Sequence, residues 1–154
     1  ALPIFLDIVI MVQFILDPLD IFFLINLGIS YGECWGYCIS ELDLQKTNAN
    51  FQRYGWWEGD PNFPTLSIES AISIDEWNGI LDSFNFDEYI QLDDVYGCPD
   101  CAVGGSEWIE ITHEGITKRV TFEVYASIPE HDELVIQLRT LKEYFIYFID
   151  PWGE

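Results

Sequence analysis

The chain of 154 residues is the size of one domain, and its 49% hydrophobic content is ample for a core, which excludes intrinsic disorder. Acidic residues number 27 against 6 basic ones, a formal charge of −21. So few cations exclude nucleic-acid binding, which needs Lys and Arg to neutralise phosphates, and weigh against an anionic membrane surface. The acidity serves solubility, and it equally suits a basic partner, divalent cations or a salty medium.

Residues 1–29 are very apolar. A signal peptide opens on a basic region, and no Lys or Arg precedes Lys46. A spanning helix needs roughly 20 apolar residues in a row. Asp7, Asp17 and Asp20 interrupt this run, each at about 2.5–3.5 kcal/mol near a bilayer centre, so a transmembrane span is not expected. Parity is more telling. Ile4, Leu6, Ile8, Ile10, Val12, Phe14 and Leu16 alternate with Asp7 and Gln13 on the odd face. After Asp17-Pro18-Leu19-Asp20 the parity reverses, with Ile21, Phe23, Ile25, Leu27 and Ile29 apolar. Alternation of period two marks strands with one buried face, and Asp-Pro suits a type I turn. Residues 4–30 are therefore predicted as a long β-hairpin, with a buried apolar helix as the competing reading.

Tyr37 to Gln45 alternates again and predicts a strand. Thr47-Asn48-Ala49-Asn50 reads as a turn, Phe51 to Trp57 as the returning strand, and Glu58 to Pro64 as a loop. Ser73 and Glu76 form a capping box ahead of Trp77, Ile80, Leu81 and Phe84, one apolar helical stripe. Asn85 and Glu88 cap a shorter helix. Residues 93–106 read as an Asp- and Gly-rich loop. Trp108 to Thr112 and Ile116 to Tyr125 read as a hairpin through His113-Glu114-Gly115. Ser127 and Glu130 offer a second capping box, before a last helix that buries Leu134, Leu138, Leu141 and Phe145 and ends before Pro151.

The four cysteines form two close pairs, Cys34-Trp-Gly-Tyr-Cys38 and Cys98-Pro-Asp-Cys101. Four thiolates in a tetrahedron make a structural zinc site, and Cys-Pro-x-Cys is a zinc-knuckle shape. Against it stand the three-residue gap of the first pair and Ala102 where a knuckle often has Gly. Disulfides fit the even count and are favoured, within or between pairs, with three connectivities open. A cross-pair bridge would close a loop of about 60 residues, worth about 4 kcal/mol on the chain-entropy model. Disulfides imply an oxidising compartment outside the cytoplasm. A redox reading of Cys98 and Cys101 needs a helix behind Cys101 to lower a thiolate pKa, and Ala102-Val103-Gly104-Gly105 predicts none. In each version the two pairs lie within bonding reach and fasten the first core strand to the 93–106 loop.

Other candidates are weaker. Asp93, Asp94 and Asp100 are oxygen donors of the kind a hard cation takes, but no EF-hand spacing is present. Glu33 sits in the first cysteine turn and Glu107 beside Trp108, neither with an identifiable partner. His113 and His131 read as surface residues. Trp35, Trp56 and Trp57 invite a sugar platform, but neighbours on a strand face opposite sides. At most one of Trp56 and Trp57 is then exposed, and core packing is favoured.

Three blocks resemble a family of small bacterial proteins to which no activity is assigned. They are Ser30-Tyr31-Gly32-Glu33-Cys34-Trp35-Gly36-Tyr37-Cys38, Gly97-Cys98-Pro99-Asp100-Cys101-Ala102-Val103-Gly104-Gly105-Ser106-Glu107-Trp108, and Lys118-Arg119-Val120-Thr121-Phe122-Glu123. The resemblance covers roughly residues 29–147, leaves residues 1–28 outside it, and implies no chemistry.

The expected fold is α+β, an antiparallel sheet with two main helices packed on it and an N-terminal β-hairpin. Residues 1–30 are the apolar extension and 31–150 a single α+β domain, the two folding as one cooperative unit. The expected function is a non-catalytic accessory or binding domain in a larger protein assembly, without a cofactor, with a protein partner held through residues 1–30. The alternatives are a zinc-stabilised domain on Cys34, Cys38, Cys98 and Cys101, and a thiol-disulfide oxidoreductase using Cys98 and Cys101.

Overall fold

The computed structural model describes residues 23–149. The first arm of the predicted hairpin and its turn, residues 4–20, lie outside the described residues. The strand predicted as its second arm is β1 (Phe23–Ser30), which sits in the middle of the sheet with both edges paired to strands later in the chain. The other strands are β2 (Ile39–Gln45), β3 (Asn48–Tyr54), β4 (Leu66–Ala71), β5 (Val95–Tyr96), β6 (Ser106–His113) and β7 (Ile116–Glu123). Their order across the sheet is β4-β3-β2-β1-β6-β7-β5. Every pairing is antiparallel except the short β5 on β7. The fold is thus α+β, as the strand-then-helix order of the sequence predicts.

The two faces follow from alternation. Ile25, Leu27 and Ile29 of β1 align with Leu42 and Leu44 of β2 and with Ile109 and Ile111 of β6, all buried. Helices α1 (Ile74–Asp82), α2 (Phe86–Tyr89) and α3 (Asp132–Ile149) cover this face. The capping box forms: Glu76 N–H donates to Ser73 Oγ at 3.1 Å, and Ser73 N–H donates to Glu76 Oε2 at 2.8 Å. That cap aims Trp77 and Ile80 into the core. Tyr89 of α2 is fully buried, and its hydroxyl donates to the Ile109 carbonyl at 2.9 Å. On α3 the predicted Leu134, Leu138, Leu141 and Phe145 face inward, joined by Val135 and Lys142.

The opposite face is polar. Asn26 donates to Asp43 at 2.8 Å and accepts from Trp108 Nε1 at 2.8 Å. The Trp108 ring lies across Gly28, where any Cβ would collide with it. Arg119 covers Trp108 from 5.2 Å and donates to Glu110 at 2.9 Å. A large aromatic thus rests on an open sheet face because its β1 neighbour has no side chain.

Several local expectations give way to tertiary pairing. The β2–β3 turn is Lys46-Thr47 alone, with Lys46 at φ 53°, and Asn48, Ala49 and Asn50 belong to β3. Ala49 is buried opposite Leu44, so core packing overrides the turn propensity of its neighbours. Strand β4 escaped the sequence reading because only Leu66 and Ile68 of its six residues are even partly buried. The 93–106 loop holds β5 and a three-residue 3-10 turn at Cys101–Val103. The Ser127/Glu130 box does not form: Glu130 takes φ 64°, which no helix accommodates, and α3 starts at Asp132. His131 is buried rather than on the surface, its ring edge-on to Tyr89 and its Nδ1 donating to the Pro129 carbonyl at 3.0 Å. His113 is half-buried, stacked on Phe23 at 3.9 Å. Among the described residues no helix is long and apolar enough to cross a membrane.

Candidate functional site at the cysteine end of the sheet

Register gathers the chemistry at one end. Ser30 pairs with Ile39 and Ser106, Ile39 with Tyr54, and Ser106 with Glu123. The segments 31–38, 55–65, 97–105 and 124–131 therefore all leave the sheet from the same edge of the core. The first two sequence blocks singled out above are two of these segments and meet here.

The cysteines pair locally. Cys34 bonds to Cys38 with Cα atoms 5.6 Å apart, and Cys98 to Cys101 with Cα atoms 5.4 Å apart. The cross-pair bridge is not made, and it is not the disulfides that fasten β1 to the second loop. Backbone contact does that. Glu33 N–H donates to the Val103 carbonyl at 3.1 Å, so Glu33 has a partner after all, through its main chain. Gly32 presses on that same carbonyl and Gly105 on the Ser30 carbonyl, positions where a Cβ has no room. The four sulfurs are engaged within their own pairs. Among the described residues no three His, Cys, Asp or Glu side chains gather as a metal-holding group. Asp94 instead pairs with Lys118 on β7.

The exposed feature of this end is aromatic. Trp35 is 88% exposed, Trp57 58% and Trp56 46%. The strand argument for hiding one of Trp56 and Trp57 fails because β3 ends at Tyr54, and Gly55 turns the chain against Asp60. The mount is stiff. Trp56 Nε1 donates to the Cys34 carbonyl at 3.0 Å. Phe63 stands edge-on to Trp35 at 5.6 Å and to Tyr37 at 5.7 Å. The Tyr37 hydroxyl donates to the Pro64 carbonyl at 3.0 Å, and Arg53 lies over the Tyr37 ring at 5.6 Å.

A buried ionic cluster lies near the same end of the sheet, where Glu107 pairs with Ile29 of β1. Glu107, 1% exposed, takes two hydrogen bonds from Arg139 of α3, at 2.8 and 2.7 Å. Lys142 Nζ is 3.8 Å away, and the Tyr125 N–H donates to the same carboxylate at 3.3 Å. Glu107 thus has partners that the sequence hid, because they stand 32 residues and more downstream on a helix. Burial pushes the Lys142 ammonium pKa down, and Glu107 opposes that shift.

Nearby, burial and a hydrogen bond to Tyr125 push the Tyr31 phenol up to about 12. Burial raises the Tyr89 pKa as well. Between an unfolded value of 10.0 and the folded one, the unfolded chain ionises first, so stability falls as pH rises. Lys142 acts in the opposite sense, but only below its unfolded value of 10.5. Urea midpoints are therefore expected to drop between about pH 10.5 and 12, and to drop less in Tyr31→Phe. A flat midpoint across that window would contradict the burial of these phenols.

No protein-family model matches the chain, and a search of curated proteins finds none similar to it.

Proposed function

We propose that the domain is a non-catalytic binding module, one part of a larger assembly, whose aromatic tip takes a basic segment of a partner protein. The observation that carries this reading is the joint exposure of Trp35, Trp56 and Trp57 on a disulfide-closed end of the sheet. Clustered exposed apolar surface marks interaction sites, and tryptophan is prominent among interface hot spots. The fixed mounting of Trp35 and Trp56 lowers the entropy lost on binding. Charge favours the basic class of partner: 27 acidic residues face 6 basic ones, and Glu33 and Glu58 are exposed next in sequence to Cys34 and Trp57. Indole faces attract guanidinium and ammonium groups, as Arg119 over Trp108 illustrates within the chain. The described part of the N-terminal segment supports a partner role less well. Strand β1 has both edges paired and one face in the core.

Titration with an Arg- and Lys-rich peptide, followed by calorimetry, tests the reading. Replacing both Trp35 and Trp57 by alanine is expected to weaken binding by about 30-fold or more, the scale of a lost hot spot. Attraction by net charge alone would leave the variant's affinity unchanged. That result, or binding of an uncharged oligosaccharide in preference to the peptide, would overturn it.

A further inference from the structure

The second cysteine pair has no part in the binding reading, and its surroundings differ from those of the first. Cys98 and Cys101 are both exposed. With Gly104, Gly105, Glu123 and Val124 they line an open cavity of about 180 Å³, room enough for a thiol group. Cys38 of the first pair is fully buried and Cys34 is half-buried. Exchange requires a thiolate to reach a disulfide sulfur, so access separates the two bridges. We propose that Cys98–Cys101 is a thiol–disulfide exchange site for a dithiol reductant, while Cys34–Cys38 stays closed.

The step balances simply. One thiolate of the dithiol attacks a sulfur of the pair, the S–S bond breaks, and the other cysteine leaves as thiolate and takes a proton. The second thiol of the reductant, deprotonated, attacks the mixed disulfide and displaces the remaining cysteine, which is protonated in turn. Two electrons and two protons pass to the pair, and the reductant leaves as a cyclic disulfide.

The fold gives this event a consequence. Asp100, Ala102 and Val103 hold φ values of 61°, 50° and 55°, left-handed conformations that a branched residue such as Val rarely adopts. The bridge spans Asp100 directly, and the Gly104 N–H closes the turn on the Cys101 carbonyl at 3.1 Å. An opened bridge lets these residues relax and moves the Val103 carbonyl, the acceptor for Glu33 N–H in the first loop. Reduction at one loop therefore loosens the other.

Graded dithiothreitol treatment of the oxidised chain, quenched with iodoacetamide and read by peptide mass, tests the assignment. Cys98 and Cys101 are expected to be alkylated at least about tenfold sooner than Cys34 and Cys38. Amide exchange at Glu33 should accelerate in the partly reduced protein and, without reductant, in a C98S/C101S variant. Equal rates, prior labelling of Cys34 and Cys38, or labelling only on global unfolding would overturn the exchange site. Unchanged Glu33 exchange would overturn the coupling. Should the variant fail to fold, the wild-type measurement alone decides.

Discussion

Replacing Glu107 by glutamine is expected to cost about 3–5 kcal/mol of folding stability, the usual penalty for removing one partner of a buried ion pair. The amide has nearly the same shape, so packing changes little and the loss is electrostatic. It strips the Arg139 guanidinium of its paired carboxylate and leaves the Lys142 ammonium without the charge that offsets its burial. Both cations stand on α3 and Glu107 on β6, so the pair joins the long helix to the centre of the sheet. Equilibrium urea unfolding measures the change. A loss below about 1 kcal/mol would mean that water reaches the pair and screens it. A Glu107→Met, Arg139→Met double variant gives the sharper comparison. It removes both charges, and it should be more stable than the sum of the two single losses predicts.

Trp77→Ala is expected to destabilise by about 3–5 kcal/mol, the range for deleting a buried large aromatic. Trp77 is fully buried beneath α1 among the core side chains of the sheet, and its loss leaves a cavity that the capped helix resists collapsing into. Trp35→Ala, by contrast, should shift stability by no more than about 0.5 kcal/mol, as exposed positions do. Paired denaturation curves of the two variants test the division of the tryptophans into core and tip. Similar losses at both positions would show that Trp35 is structural and would remove the main support for a recognition role.

Much of the fold is legible from local patterning. The alternation of Ile25, Leu27 and Ile29, the Ser73–Glu76 box and the stripe from Leu134 to Phe145 each specify an element and its buried face. These signals are readable because period and cap chemistry act within a few residues. Where local signals are weak or run against long-range packing, the structure departs from the local pattern. Strand β4 is an edge with little alternation, Ala49 is drawn into β3 by Leu44 across the sheet, and Glu130 breaks a box whose residues are otherwise suitable. Less of the candidate site was legible. The cysteine spacing announced two turns that meet, but not which sulfurs join or that backbone hydrogen bonds hold the loops together.

By itself, then, the sequence determined the fold class, the inward faces of the central strands and long helices, the acidity, and the closeness of each cysteine pair. Tertiary structure alone decided three things. It paired the cysteines within each turn, it exposed Trp56 and Trp57 together by ending β3 at Tyr54, and it brought Arg139 and Lys142 to Glu107. The cysteine pairing follows from turns that bring the Cα atoms to 5.6 and 5.4 Å, and the other two outcomes share one physical reason. Each of these two depends on where a strand stops and which distant segment crosses that point, and sheet register sets both only after the chain has folded.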